Sequence, residues 1–354
     1  MDLLHLRQSI HTWAKELGFD GIRIARLETG KASEYLLQWL KKGYHGEMAY
    51  MSRNPEIRAD PSLLVPDALC VLTVRMDYLP LPLSEARERL ERGDEAAVSI
   101  YALGRDYHKL VRQRLLKLAQ RIREAVGDFG YRVFSDSAPI HEKALAESGG
   151  LGWIGKHTNL IDRHAGSLFF LGELLTDLPL PIDDPVSSHC GSCTRCLSAC
   201  PTGAIVAPYQ LDARLCISYL TIEHPGSIPI GLRSHIGNRV YGCDDCQLVC
   251  PWNRYAKMTQ EKDFLPRNGL DRADLASLFL WREQAFLSKF EGSAIRRIGY
   301  DRWLRNLAVG LGNAPANPRI IEVLRARLEE TSELVQEHVL WALKVQEEKR
   351  IRKP

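Results

Sequence analysis

Eight of the nine cysteines in this 354-residue chain fall inside one window of 61 residues, 190 to 250. The window opens Cys190-x2-Cys193-x2-Cys196-x3-Cys200-Pro201 and closes Cys243-x2-Cys246-x3-Cys250-Pro251, with Cys216 alone between the runs. Eight thiolates make two sets of four, and the first run has the bacterial ferredoxin spacing for a [4Fe–4S] cluster. Two intervening residues carry the chain round one corner of an iron–sulfur cube. Three residues and a proline turn it away, so the fourth sulfur serves the neighbouring cluster. Val240 occupies the place of the second run's first cysteine, and Cys216, 27 positions before Cys243, is the substitute. The spacing therefore predicts Cys190, Cys193, Cys196 and Cys250 on one cluster and Cys200, Cys216, Cys243 and Cys246 on the other. The rival reading is two four-cysteine zinc sites, although zinc ribbons rarely carry a three-cysteine run ending in Cys-Pro. A disulfide framework fits poorly with clustered ligand runs and with an N-terminus that has no signal peptide. Cys70, in the apolar stretch LCVLTV, reads as an inert strand residue.

The length has room for two or three domains, and 45% apolar with 26% charged residues is ordinary for a soluble globular protein. No apolar run approaches a membrane span. The N-terminus, MDLLHLRQSIHTWAKEL, has helical periodicity and carries acids, so the expected location is the cytoplasm, where reduced thiols suit cluster assembly. A net charge of +3 does not by itself establish a nucleic-acid partner, but Arg105 to Arg123 holds seven Lys/Arg against one Asp.

Residues 1–180 read as a mixed α/β domain. Helices are expected at about Leu4–Leu17 and Ser33–Lys41. Strands are expected at GIRIA, LCVLTVRM, YRVFSD and SLFFLGELLT. A helix with Val111, Leu115, Leu118 and Ile122 on one stripe follows the aromatic, charged stretch 101–108, and Pro139 is expected to open another. The Pro-rich DLPLPIDDP separates this from a cluster domain at 184–260. Residues 280–350 read as amphipathic helices, one ending at Gly312-Asn313 and the next starting at Asn317-Pro318, spaced like a HEAT-type repeat. One repeat cannot bury its own face, so it must pack on the cluster domain.

Taken together, GEMAYM (46–51), RADP (58–61), YALGRDYHK (101–109), SDSAP (135–139), GLGWIGK (150–156), the two cysteine runs and RNLAVGLGN (305–313) resemble the epoxyqueuosine reductases over nearly the whole chain. These enzymes complete queuosine in the anticodon loop of tRNA. The resemblance implies a multidomain α+β protein with a nitroreductase-like cobalamin-binding α/β domain, a ferredoxin-like domain with two [4Fe–4S] clusters, and a HEAT-like helical tail. It also implies tRNA with a GUN anticodon as partner, a reductant such as flavodoxin or ferredoxin, and a monomer. The sequence itself does not show cobalamin: the cobalt-ligand motif Asp-x-His-x-x-Gly is absent, and Asp162-Arg163-His164-Ala165-Gly166 is one residue short and reads as a turn. The family would hold the corrin with no protein imidazole on cobalt.

Deoxygenating an epoxide to an alkene takes two electrons and two protons, and the oxygen needs a general acid to leave. Asp136 matches the acid position of the family motif and ends a predicted strand, where ligand sites of open α/β sheets gather. Burial against the corrin would keep its carboxyl protonated. The alternative is that Asp136 only caps a helix starting near Pro139, in which case Asp136→Asn would retain turnover. Arg58, Tyr101, Arg105, Tyr107 and His108 are candidates for corrin amides, its phosphate or tRNA phosphate, or else ion pairs and satisfied core groups. Gly155, within Gly152–Gly155, lets a corrin approach closely or serves only a turn. Lys156 and Asn159 are polar candidates, and Ile217 and Ser218 follow a cluster ligand at the expected cofactor edge.

Phosphate contacts would supply most of the tRNA affinity, from among Arg233, Arg239, Arg254, Lys257, Arg282, Arg296, Arg297, Arg302 and Arg305. An anticodon base reaching a buried centre must be splayed out. The acids Glu329, Glu330, Glu333 and Glu337 leave the helical tail one face for RNA. Two other functions remain open on these residues: a different cobalamin and iron–sulfur reductase, such as a reductive dehalogenase, and a two-cluster electron-transfer subunit with no further cofactor.

Overall fold

The computed structural model describes residues 2–352. Its N-terminal part is organised on a four-stranded sheet: β1 (Gly21–Ala25), β2 (Cys70–Asp77), β3 (Tyr131–Phe134) and β4 (Phe169–Thr176), in the order β1-β2-β4-β3. Each neighbouring pair is antiparallel. The expected strands are thus all present, but the domain is α+β rather than α/β. The strand-end rule for parallel sheets therefore does not explain the position of Asp136.

β2 is buried at every residue because both faces of the sheet are covered. Ile24, Leu72, Val74 and Leu174 face the helices Leu3–Glu16 and Tyr107–Val126. Ala25, Val71, Phe134 and Leu175 face the short helix Glu142–Ser148. Gly172 in β4 is required at its place: a Cβ there would lie 2.6 Å from Val111 Cγ1 and hold the long helix off the sheet. Asp106 caps that helix, accepting from the His108 amide, so Tyr107 and His108 form its first turn. Cys70 is an inert strand residue, with burial pushing its thiol up to about 11.

The cysteine-rich part carries short helices after its cysteines, among them Arg195–Ala199, Ile217–Ile222 and Asp245–Leu248. It is joined to the sheet domain by backbone, since Arg239–Tyr241 pairs in parallel with Ala97–Val98. Buried Asp244 accepts from Ser99 Oγ (2.5 Å) and the Ile100 amide (2.8 Å). The Pro-rich segment is not a free linker. Leu178 and Leu180 are buried, and Asp183 accepts from the Ile24 amide at 2.8 Å.

The C-terminal helices are Gly299–Asn313, Pro318–Arg327 and Glu333–Arg352, the second capped by Asn317. The first of them docks on the cysteine-rich part, as its unpaired face requires. Asn306 Nδ2 donates to the carbonyls of Thr221 and Val240, each at 2.8 Å. One continuous core runs from Leu6 to Leu343 through all three parts. Among the described residues no helix is long and apolar enough to cross a membrane.

Candidate active site

A cavity of about 1350 Å³ opens where the three parts meet. Ordinary small-molecule sites occupy about 300–1,000 Å³, so this one accepts a larger ligand or two at once. Its walls include Trp39, Met48 and Tyr50 from the N-terminal loops, Tyr107 and His108 from the capped helix, Asp136, Phe169–Leu171, and Arg297 from the C-terminal part. Cys200, Cys216, Cys243 and Cys246 also line it. They are the four residues that spacing assigns to one cluster, and the other four cysteines are absent from the lining.

All eight cysteines are unbridged. Cys190 and Cys250 lie among Trp153, Ile161 and Trp252. Burial, and then Cys190 and Cys196, push the Cys250 thiol up to about 11. Burial raises Cys246 as well, with Cys216 the first thiol acting on it and Cys200 the next. Cys190 and Cys250, 60 positions apart in the chain, are therefore neighbours, and Cys246 lies near Cys216, Cys200 and Cys196. Lys156 Nζ donates to the carbonyls of Gly191 (2.6 Å) and Cys193 (3.0 Å), bracing the outer cysteine loop. It supports a cluster loop and is not a cavity contact.

Across the cavity stands a proton-bearing group. Tyr107 Oη donates to Asp136 Oδ2 at 2.6 Å. His108 Nδ1 lies 2.5 Å from Asp106 Oδ1, and its Nε2 lies 3.6 Å from Asp136 Oδ2. The Tyr107 ring is stacked on Phe170 at 3.9 Å and on His108 at 4.2 Å, which fixes the direction of its hydroxyl. Burial disfavours charge on His108, but its hydrogen bond with Asp106 and the nearby Asp136 carboxylate outweigh it and raise its pKa to about 9. Burial would raise Asp136. Hydrogen bonds from His108 and Tyr107, with the charges of His108 and Arg297, overcome this and hold the carboxyl below its ordinary value. The Asp136 side chain is 65% open to the cavity. In the open cavity these contacts favour the Asp136 carboxylate and a protonated His108, whereas a protonated Asp136 is expected with the corrin packed against it.

Asp136 does not cap a helix. The following helix begins at Glu142, with His141 in the cap position, three residues later than Pro139 suggested. Asp136 instead adopts a left-handed φ of 51°, and its amide donates to Glu142 Oε1 at 2.6 Å.

Tyr101, Asn159, Ile217 and Ser218 line the cavity as expected. Arg58 and Arg105 do not: Arg58 is buried and reaches the Tyr50 carbonyl at 3.4 Å, and Arg105 pairs with Asp263 at 3.2 Å on the surface. Gly155 serves the turn, because a Cβ there would meet Ile161 Cδ1 at 2.5 Å. Gly152 does likewise, facing the Ile161 carbonyl at 2.3 Å. The Asp162–Gly166 segment is a turn closed by an Asp162 amide to Gly166 carbonyl bond of 2.7 Å, and His164 is exposed outside the cavity. Sequence reasoning missed Trp39, Tyr50, Phe170, Glu142 and Glu173. Glu173 had a readable signal, as the one acid within the apolar strand FFLGELLT.

Two of the proposed phosphate contacts are internal. Arg305 is 0% exposed and donates to the carbonyls of Leu220, His224 and Gly226, each at 2.7 Å. Arg233 is 1% exposed, bonded to the Ile228 carbonyl and paired with Glu337. Both leave the set, because neither guanidinium reaches a phosphate on the surface. Arg239 is occupied by Asp245, and Arg302 by the carbonyls of Ile298 and Ile222. Arg254, Lys257, Arg282, Arg296 and Arg297 are exposed, and Arg297 both lines the cavity and pairs with Glu223 at 2.8 Å.

An α+β sheet domain, eight cysteines in and between two ferredoxin-spaced runs, and a cavity that four of them share with a proton-bearing group define a two-cluster iron–sulfur reductase. Residues 189–253 match the 4Fe–4S double cluster binding domain, and residues 58–137 match epoxyqueuosine reductase QueG, DUF1730. The chain belongs to the epoxyqueuosine reductase family: it is 58% identical over 344 residues to the epoxyqueuosine reductase of Pseudomonas aeruginosa, covering 97% of this chain and 95% of that one. The Escherichia coli epoxyqueuosine reductase is 53% identical, with 99% and 92% covered. Among solved structures, an epoxyqueuosine reductase with a tRNA-Tyr epoxyqueuosine-modified stem loop superposes at TM-score 0.81, with 25% identity and 98% and 100% of the chains covered. The Bacillus subtilis enzyme, with its catalytic aspartate loop swung out of the active site, superposes at 0.82 with 27% identity, covering 97% and 100%. The double-cluster match sets the zinc reading aside.

Proposed function

We infer that this chain reduces epoxyqueuosine to queuosine in the anticodon loop of tRNA, and that Asp136 hands the proton to the departing oxygen. The observation that carries this is one cavity onto which the inner cysteines and the Tyr107–His108–Asp136 group both open. Two C–O bonds break, a C=C bond forms, two electrons and two protons enter, and water leaves. The two cysteine sets would each hold a one-electron cluster, and such clusters would supply the electrons singly. His108 holds a proton 3.6 Å from Asp136, and Tyr107 directs the carboxylate towards the cavity. Displacing water from the cavity removes solvation from the Asp136 anion and favours its taking up the proton that His108 holds.

A cavity of this size with aromatic walls fits cobalamin together with a modified base, and Asn159, Ile217, Ser218 and Tyr101 would hold the corrin beside the inner cluster. When bound, cobalamin supplies a low-valent, nucleophilic cobalt. The base enters splayed from its loop. Arg297 and neighbouring Arg296 are the best placed phosphate contacts, with Arg254, Lys257 and Arg282 as further candidates. The stem loop bound to the relative supports this reading. GUN anticodons, a flavodoxin- or ferredoxin-type donor, a monomeric cytoplasmic enzyme, a nitroreductase-like sheet domain and a HEAT-like tail complete it.

The test is anaerobic purification with cobalamin supplied, followed by metal analysis and turnover on epoxyqueuosine-containing tRNA. About eight irons, four in each of two clusters, with one cobalt and an inactive Asp136→Asn variant are expected. Iron without cobalt would leave a plain electron carrier.

A further inference from the structure

The loop bearing Asp136 is held from behind by groups that the reaction itself does not use. Asp136 is a non-glycine residue at φ 51°, a conformation that L side chains rarely adopt and that needs outside support. The support is at hand: the Asp136 amide donates to Glu142 Oε1 at 2.6 Å. Glu142 opens its helix, and its carboxyl lies against that of Glu173. Glu173 belongs to β4 and is 0% exposed. Both of its oxygens are buried with no hydrogen-bond donor among the described residues, and the carboxyl acting most strongly on them is that of Glu142. Two carboxyls touching in a dry site do not both ionise, so one proton lies between them.

We propose that Glu142, sharing one proton with Glu173, is a positioning residue that latches the Asp136 loop in its cavity-facing conformation. The shared proton ties Glu142 to the sheet and leaves its other oxygen to accept the Asp136 amide. In the Bacillus subtilis relative the corresponding catalytic loop has been observed swung out, so a second position exists there for a latch to oppose. The other titratable or charged groups acting on Glu142 or acted on by it are Asp136, Tyr107, His108, Arg58 and Lys143. Burial and then the Asp136 charge raise Glu142 to about 7, and burial and then Glu142 raise Glu173 further. The pair therefore passes from two protons to the single shared one near neutrality, and the latch is lost only at the higher pH where Glu173 also ionises.

The catalytic importance of the latch rests on the role given to Asp136 above, so the first readout does not depend on turnover. Hydrogen exchange of the segment 135–141 is measured in the holoenzyme for wild type, Glu142→Gln and Glu142→Ala. The Gln amide keeps an oxygen for the Asp136 amide and donates to Glu173 without a shared proton. Exchange is expected to be slow in wild type and Gln, and about tenfold or more faster in Ala. In parallel, kcat falls ~10–100-fold in Ala with tRNA affinity unchanged. Gln recovers most of that loss and lacks the alkaline decline due to the shared proton. Unchanged exchange in Ala, or a Gln variant as impaired as Ala, overturns the proposal. If Ala does not fold, Glu173→Gln substitutes: it donates to Glu142 permanently, and an alkaline decline as in wild type overturns the latch. Should Asp136→Asn prove active, the reading of Asp136 falls while the exchange result still decides the latch.

Discussion

The outer and inner cysteine sets share a spacing and differ in everything around them. Of the outer set, Cys190, Cys193, Cys196 and Cys250, the first and last pack with Trp153 and Trp252, and the segment 184–189 that leads into Cys190 is exposed throughout. Cys200, Cys216, Cys243 and Cys246 face the cavity, opposite Asp136 and His108. The ligand pattern is the same and the surroundings differ. On the function proposed above, the outer set would take electrons from a donor and the inner set would pass them to the cavity, so the direction of electron flow would be a property of packing, not of spacing.

The sharpest way to break this comparison is to remove one cluster at a time. Cys216→Ser is expected to abolish turnover with any reductant. Cys193→Ser is expected to abolish turnover with a protein donor while leaving some with a small chemical reductant that enters the cavity. Iron should fall from about eight to about four per chain in each, for one lost cluster, and equal loss with both reductants would erase the distinction. Next in size, Asp136→Asn should lower kcat by ~10²–10⁴-fold, measured in single turnover on modified tRNA with cluster content unchanged.

The arginines sharpen the contrast between a surface that binds and an interior that holds. Arg305→Ala should cost about 2–4 kcal/mol of stability by orphaning three carbonyls and leaving a void, read from denaturant unfolding. Arg297→Ala should leave stability nearly unchanged and weaken tRNA binding several-fold, with a shallower salt dependence. If the two effects were exchanged, the assignment of Arg297 to the tRNA surface would fail.

The smallest effect is on pH. His108 has its pKa raised to about 9. Its contribution to stability is fully present below its ordinary value of 6.5 and is lost as pH rises through about 9. A thermal melt followed from pH 7 to 10 should therefore decline, and His108→Gln should flatten that decline.

Much of the sheet domain was legible because its signals are local. β2 announces itself as an apolar, β-branched run, and Asn317-Pro318 marks a helix start because capping needs only adjacent residues. Glu142 behind Asp136 was not legible, since the five residues between them form an irregular loop that the pattern does not specify. Nor was the burial of Arg305, whose partners lie about 80 positions away in the chain.

By itself the sequence determined which atoms can ligate iron, because cluster geometry constrains spacings of two and three residues. It also determined which segments are strands and helices, because hydrophobic period is a property of consecutive residues. Only the tertiary structure decided that the sheet is antiparallel, that four of the eight cysteines line the cavity, and that the contacts of Asp136 favour its carboxylate. Charge state and direction depend on groups brought together across the fold, and burial, hydrogen bonding and Coulomb forces act through space rather than along the chain.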